Sequence, residues 1–288
     1  MLWAGSCFAF GNVFNKHPND SVKIQKLLDA AKINSSDSAL IQLDSAEMLA
    51  RTLKSKLLLS SVFIQRGNLL MKKNHLVAAD SVFRMARGIL INQEKNNQYL
   101  LLLKNLAICN YYLGNNAKVL NYTLEGLADA RKLNNTMFRG TFNNISGIAM
   151  DVMGNRAKAL EYYLQALDIF KSLKDEEKIA SVEMNIGVLY EGQGNKKKAE
   201  KYFMDAYQAA NKIQDTSLMA GAYNNMANIY SDRKEYKKAL AHFFKSLALS
   251  RKKNESFSIA IDLNNIGDSY MHLKNYSSAL DYYHQALK

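Results

Sequence analysis

The side chains that recur in this sequence with chemical potential are amides. Gln65, Asn105, Asn185, Asn225 and Asn265 occupy five of six places set forty residues apart, and Ile145 takes the sixth. Each amide both donates and accepts hydrogen bonds, so a row of them suits the backbone of a bound peptide. A second role stands beside it: an amide can bond to a neighbouring helix and brace a stack, because buried polar groups are nearly always paired.

Groups for covalent chemistry are sparse. The five histidines, His17, His75, His242, His272 and His284, form no HExxH and no set with cysteine or carboxylate at metal-ligand spacing. Cys7 and Cys109 make neither a disulfide framework nor a metal site. The stretch "GQGNKK" from Gly192 lacks the GxxxxGK(S/T) spacing of a phosphate loop and reads as a turn. "NYT" at Asn121 and "NYS" at Asn275 match a glycosylation pattern but fall within or beside predicted helices, so no role is assigned to them. The sequence therefore predicts no catalytic group, no metal and no cofactor.

The elements that position the amides follow from a period. Gly67, Ala107, Gly147, Gly187, Ala227 and Gly267 form one column of small residues at forty-residue steps. Twelve residues on stand Ala79, Val119, Ala159, Ala199, Ala239 and Ala279, and four further Phe83, Thr123, Tyr163, Phe203, Phe243 and Tyr283. Ala86, Gly126, Ala166, Ala206, Ser246 and Ala286 close the frame. Glycine in a helix costs about 1 kcal/mol relative to alanine, so its return at one place predicts a close helix approach there. The aromatic column supplies the apolar area that the small columns make room for. "LGNNAK", "MGNRAK" and "QGNKKKA" read as Gly-Asn turns between two helices.

Composition agrees. The 288 residues are 48% hydrophobic and 22% charged, enough for a substantial core, and a single proline fits a chain that is nearly all helix. A net charge of +12 favours acidic partners, anionic membrane surfaces or nucleic acid. The uncharged start "MLWAGSCFAFGNVF" is too short to span a bilayer, and "AGSC" is a weak lipobox. It fits either the end of a signal peptide, which would place the protein outside the cytoplasm, or an apolar cover for the first helix of a cytoplasmic domain. No later stretch reads as membrane-spanning.

The last repeat, "DLNNIGDSYMHLKNYSSALDYYHQAL", resembles the tetratricopeptide repeat, with Gly/Ala, Tyr, Ala, aromatic and Ala in order. The resemblance covers residues 60–288 as six repeats starting at 60, 100, 140, 180, 220 and 260, the last incomplete. A degenerate repeat over 21–59 precedes them, with "SALIQLDSAEMLA" similar to a second helix, and an apolar segment occupies 1–20. The period is 40 rather than the usual 34 and the helix-ending proline is absent, which implies longer helices. Such repeats are similar to those of bacterial peptide sensors, of kinesin light chains, and of the sensor regions of Bacteroidetes-type histidine kinases and helix-turn-helix regulators. The resemblance implies an all-α fold, a right-handed α-α superhelix of antiparallel helix pairs, whose first helices line a concave groove.

Within that groove the amide column and the residues three and seven further on share one helical stripe. The stripe runs Gln65, Asn68, Lys72; Asn105, Ile108, Tyr112; Ile145, Ile148, Val152; Asn185, Val188, Gly192; Asn225, Asn228, Asp232; and Asn265, Asp268, His272, with Asp151 and Glu191 beside it. It starts polar and basic, turns apolar, and ends polar and acidic. The expected partner is a peptide or protein segment with an apolar centre and basic residues. The apolar middle fits a groove wall or core packing. Lys118, Lys158, Lys198 and Lys238 form an outward basic row that reads as solvated, and the aromatics among them as core, so no specific nucleic acid is expected. Nothing in the sequence fixes an oligomeric state.

The chain stops inside a second helix, with Leu280, Tyr283 and Leu287 expected to lie open, which predicts further sequence beyond Lys288. Two functions fit: a non-enzymatic binding scaffold, or a sensory input domain for an output module beyond residue 288.

Overall fold

The computed structural model describes residues 18–33 and 37–287, and the expectations for the N-terminal segment, Cys7 and His17 lie outside them. The described residues form fourteen helices and no strand. They are α1 (Pro18–Ile33), α2 (Asp37–Thr52), α3 (Lys56–Lys72), α4 (Leu76–Leu90), α5 (Asn97–Tyr112), α6 (Asn116–Lys132) and α7 (Thr136–Val152) in a first compact unit. A second unit holds α8 (Arg156–Leu173), α9 (Glu176–Gly192), α10 (Lys196–Lys212), α11 (Thr216–Asp232), α12 (Tyr236–Lys253), α13 (Ser256–His272) and α14 (Tyr276–Ala286).

A turn repeated every twenty residues sets this order. Lys54, Asn74, Gly114, Asn134, Gly154, Lys174, Gly194, Gln214, Lys234, Asn254 and Lys274 all have positive φ, between 50° and 80°. For a residue with a Cβ that conformation costs roughly 1–2 kcal/mol. The next residue offsets the cost by donating its N–H to a carbonyl five residues back: His75 to Leu70 at 2.8 Å, Asn195 to Tyr190 at 2.9 Å, Asp215 to Ala210 at 3.0 Å. At Ser55, Asn135, Asn155, Asp175, Asn195, Asp215 and Asn275 that same residue also caps the following helix, as when Asn155 Oδ1 accepts from Lys158 N at 3.2 Å and Asp215 Oδ1 from Leu218 N at 3.1 Å; His75, Asn115, Glu235 and Glu255 make no such bond. Three residues thus end one helix and start another, with no need for proline. The α4–α5 link is longer, Ile91 to Asn96, and Asn96 alone caps α5 through Gln98 N and Tyr99 N.

The small columns work as the sequence predicts, and a ring makes the close approach. A Cβ on Gly67 would lie 2.4 Å from the Phe83 ring, one on Gly187 2.4 Å from Phe203, and one on Gly267 2.6 Å from Tyr283. Gly126 of α6 makes the same room for Phe142 of α7. In the first unit Ile24, Leu28, Leu43, Leu58 and Val62 bind α1 and α2 to α3 in one apolar cluster, while Ala107, Val119, Ile145 and Ala149 join α5, α6 and α7. In the second unit Ala199, Phe203, Met226 and Ile229 join α10 and α11, and Phe243, Leu247, Leu263 and Ile266 join α12 and α13. Leu280 and Leu287 are exposed, but Tyr283, expected to lie open, is half-buried against Gly267.

Candidate functional site

The amide column falls on the first helix of each hairpin: α3, α5 and α7 in one unit, α9, α11 and α13 in the other. In the first unit the amides bond to one another. Asn105 of α5, buried, donates Nδ2 to Asn68 Oδ1 of α3 at 2.8 Å, and Asn68 Nδ2 lies 3.5 Å from Gln65 Oε1. Asn105 therefore braces two neighbouring helices, while half-buried Gln65 and Asn68 line an open cleft of about 470 Å³. Lys72, Lys104, Leu101 and Ala31 share its walls. Tyr112, seven residues beyond Asn105, is 63% exposed, its ring edge-on to Tyr111. The apolar part of the stripe divides: Ile145 is buried in the core, Ile148 half-buried and Val152 exposed.

In the second unit Asn185, Asn225, Asn228 and Asn265 are half-buried. Asn225 Nδ2 meets Met184 Sδ at 3.6 Å, and Asn228 Nδ2 lies 3.4 Å from Asn224 Oδ1. The carboxylates are partly satisfied already. Asp232 pairs with Lys196 at 3.2 Å, and Asp268 accepts the Tyr283 hydroxyl at 2.5 Å, which with burial pushes that phenol up to about 12. Burial, then repulsion from Asp232, pushes the Glu191 carboxyl upward, and Lys196 opposes the rise. His272 is exposed and stacks on Tyr236, ring centres 4.6 Å apart.

A second pocket, about 220 Å³, lies among α9, α11, α12 and α13, and the stripe of amides only touches it, at Asn225. Its buried charged member is Asp262, 1% exposed, which accepts from Asn224 Nδ2 at 2.8 Å and Ser250 Oγ at 3.0 Å. Burial pushes this carboxyl up, and the bonds from Asn224, Ser246 and Ser250 oppose the rise. The signal for Asp262 was in the sequence, since the equivalent places forty residues apart are Val62, Leu102, Phe142, Val182 and Ala222.

The basic row is engaged with its surroundings. Lys198 Nζ sits 4.8 Å from the Tyr190 ring centre, Lys158 bonds Glu161 at 2.9 Å, and Lys238 bonds Glu235 at 2.5 Å. Tyr163 and Phe203 are core residues, with Tyr162 and Tyr202 half-buried beside them. Gly194 of "GQGNKK" takes the positive φ of a turn. Cys109 is buried, which pushes its thiol up to about 11, and its Sγ donates to Leu76 O at 3.3 Å. Among the described residues no three groups are placed to hold a metal, and no helix is long and apolar enough to cross a membrane.

A family model for the tetratricopeptide repeat matches residues 139–212 and 218–288, together half of the chain. No curated protein matches it. Among solved structures, a Rap protein complexed with competence and sporulation factor is 17% identical, covering 95% of this chain and 86% of its own, TM-score 0.72. NprR in complex with its cognate peptide NprX is 16% identical, covering 92% and 77%, TM-score 0.59. A signal-transduction ATPase of Pyrococcus horikoshii with a tetratricopeptide repeat sensor is 17% identical, covering 94% and 44%, TM-score 0.66. At these identities the likeness is one of fold: helical-repeat solenoids built from the same hairpins.

Proposed function

The chain belongs to the tetratricopeptide repeat family, and from that premise we propose that it is a peptide-binding scaffold that captures peptide segments on amide-bearing helix faces, those of α3 and α5 in the first unit and of α9, α11 and α13 in the second. The observation that carries this reading is the placement of the amides. Gln65, Asn68 and Asn105 line the cleft of the first unit, and Asn225 with Asn224 lines the pocket of the second. Half-buried amides can meet a peptide backbone while keeping a bond to the scaffold, since each carries two donors and an acceptor oxygen. The carboxylates Glu191, Asp232 and Asp268 favour a segment with basic residues, and the half-buried Ile148 with the exposed Tyr112 and Val152 favours an apolar stretch. One of the structurally similar proteins, NprR, is bound to its cognate peptide NprX, and another, the Rap protein, to competence and sporulation factor. The scaffold works by association alone, with no bond made or broken. A second reading, a sensory input domain, has the support of the tetratricopeptide repeat sensor of the Pyrococcus horikoshii ATPase; ligand capture would then need different affinities for two states of the scaffold.

The test is a library of capped decapeptides screened against the full chain. Selected peptides are expected to contain basic residues, and the double variant Asn225→Ala, Asn265→Ala is expected to weaken their capture with helical content and melting nearly unchanged. A failure to select any peptide, or capture indifferent to every variant on these faces, contradicts the reading.

A further inference from the structure

Four carboxylates are buried among the described residues, and three of them have a basic partner. Asp80 pairs with Arg84 at 2.9 Å, Asp129 with Lys132 at 3.6 Å and Glu183 with Lys171 at 3.4 Å. Asp262 is the exception: the side chains that bond to it, Asn224, Ser246 and Ser250, are all neutral. A buried carboxylate without a counter-charge is costly, and the cost falls when a cation arrives.

The space beside it is kept open. The residues that would fill it are small or polar, Ala220, Gly221, Ser246 and Ser250, and a Cβ added at Gly221 would come within 3.0 Å of the Met184 methyl group. Met184 and Ile261 give the pocket apolar walls, as an alkyl stem requires, while the carboxylate stands where a charged head needs a partner. Lys253 does not serve: its Nζ bonds Ser217 Oγ at 2.6 Å and lies 3.7 Å from Glu255.

We propose that the pocket around Asp262 is a socket for one cationic side chain, the ammonium of lysine or the guanidinium of arginine, on the segment that these helix faces bind. The inference rests on the peptide-binding reading and sharpens it by placing one required basic residue. The carboxylate takes the charged head, Asn224 and Ser250 hold the carboxylate in place, and Asn225 at the pocket wall meets the adjoining backbone.

The test uses the full chain with two capped pentapeptides, Ala-Ala-Arg-Ala-Ala and its twin with citrulline, which has nearly the shape of arginine without the charge. Binding is read from the NMR signal of the Met184 methyl group. The arginine peptide is expected to shift that signal saturably and to bind at least about tenfold more tightly than the citrulline peptide. Asp262→Asn keeps the shape, an acceptor oxygen for Asn224 and an amide N–H that the Ser250 hydroxyl can accept by turning, and is expected to erase the preference; Asp262→Val, which installs the residue of the equivalent places Val62 and Val182, provides a second folded variant with the same expected loss. Equal binding of the two peptides, an arginine preference that survives both variants, or no shift of Met184 by either peptide overturns the socket. If the decapeptide library yields binders with no required basic residue, the scaffold reading stands and the socket falls; if it yields none, both fall.

Discussion

The two units share a frame and differ in what they place on it. In the first, polar groups on the inner helices satisfy one another: Asn105 bonds Asn68 across two helices, and the cleft beside them carries Lys72 and Lys104. In the second, the corresponding helices hold a carboxylate supported only by neutral donors, in a pocket that small residues leave open. Both units repeat the same glycine-under-ring packing, Gly67 with Phe83 and Gly187 with Phe203, where an added Cβ would lie 2.4 Å from the ring in each case. Backbone register is therefore common property, and recognition chemistry is set one column position at a time.

The largest expected effect tests the shared frame. Gly67→Ala and Gly187→Ala each push a methyl group into a ring and are expected to destabilise by about 1–3 kcal/mol, to a similar extent in both units. Thermal melting of the two variants checks this, and a large loss in one unit with none in the other would break the comparison. Next comes the amide pair. Asn68→Ala leaves the buried Asn105 Nδ2 without its acceptor and is expected to cost about 1–2 kcal/mol, whereas Asn225→Ala loses only a weak contact to sulfur and is expected to cost under about 0.5 kcal/mol. Denaturant unfolding separates the two.

Asp262→Val is expected to stabilise the unliganded chain by about 1 kcal/mol at neutral pH, because a well-packed apolar residue replaces a buried charge that lacks a counter-ion. The sign with pH follows from the raised pKa. Asp262 is protonated more readily in the folded chain, so the wild type keeps this part of its stability below the ordinary value of 3.8 and loses it as pH rises through the folded value. The advantage of the valine variant should accordingly shrink as pH falls towards 3.8; an advantage independent of pH would assign the effect to packing alone. The smallest effect belongs to the basic row. Lys198→Ala removes an exposed cation–ring contact and is expected to change stability by about 0.5 kcal/mol at most and peptide capture not at all.

Much of this was legible from spacing. Close packing makes small and aromatic residues recur, so the columns at Gly67 and Phe83 expose the hairpins before any coordinates. The turns were legible at Gly114, Gly154 and Gly194, where the residue type advertises positive φ. At Lys54, Lys174, Gln214, Lys234 and Lys274 they were not, because nothing in a lysine or glutamine favours that conformation and only the surrounding hydrogen bonds impose it. The stripe of amides was legible as a face, but the division between bracing and exposure was not, since Asn105 and Gln65 differ only in how deeply their neighbours bury them. Following that stripe also led past Asp262, which stands three residues before Asn265 and off the stripe. A charged residue in an apolar column was the sign to follow.

The central claim is that the inner helix faces capture a peptide, and photo-crosslinking tests it most directly. A photoreactive group placed in a library-selected peptide, followed by mass spectrometry of the crosslinked chain, is expected to mark α3 and α5 near Asn68 and Asn105, or α11 and α13 near Asn225 and Asn265. Crosslinks confined to the second helices, around Lys118, Lys198 and Lys238, would contradict it.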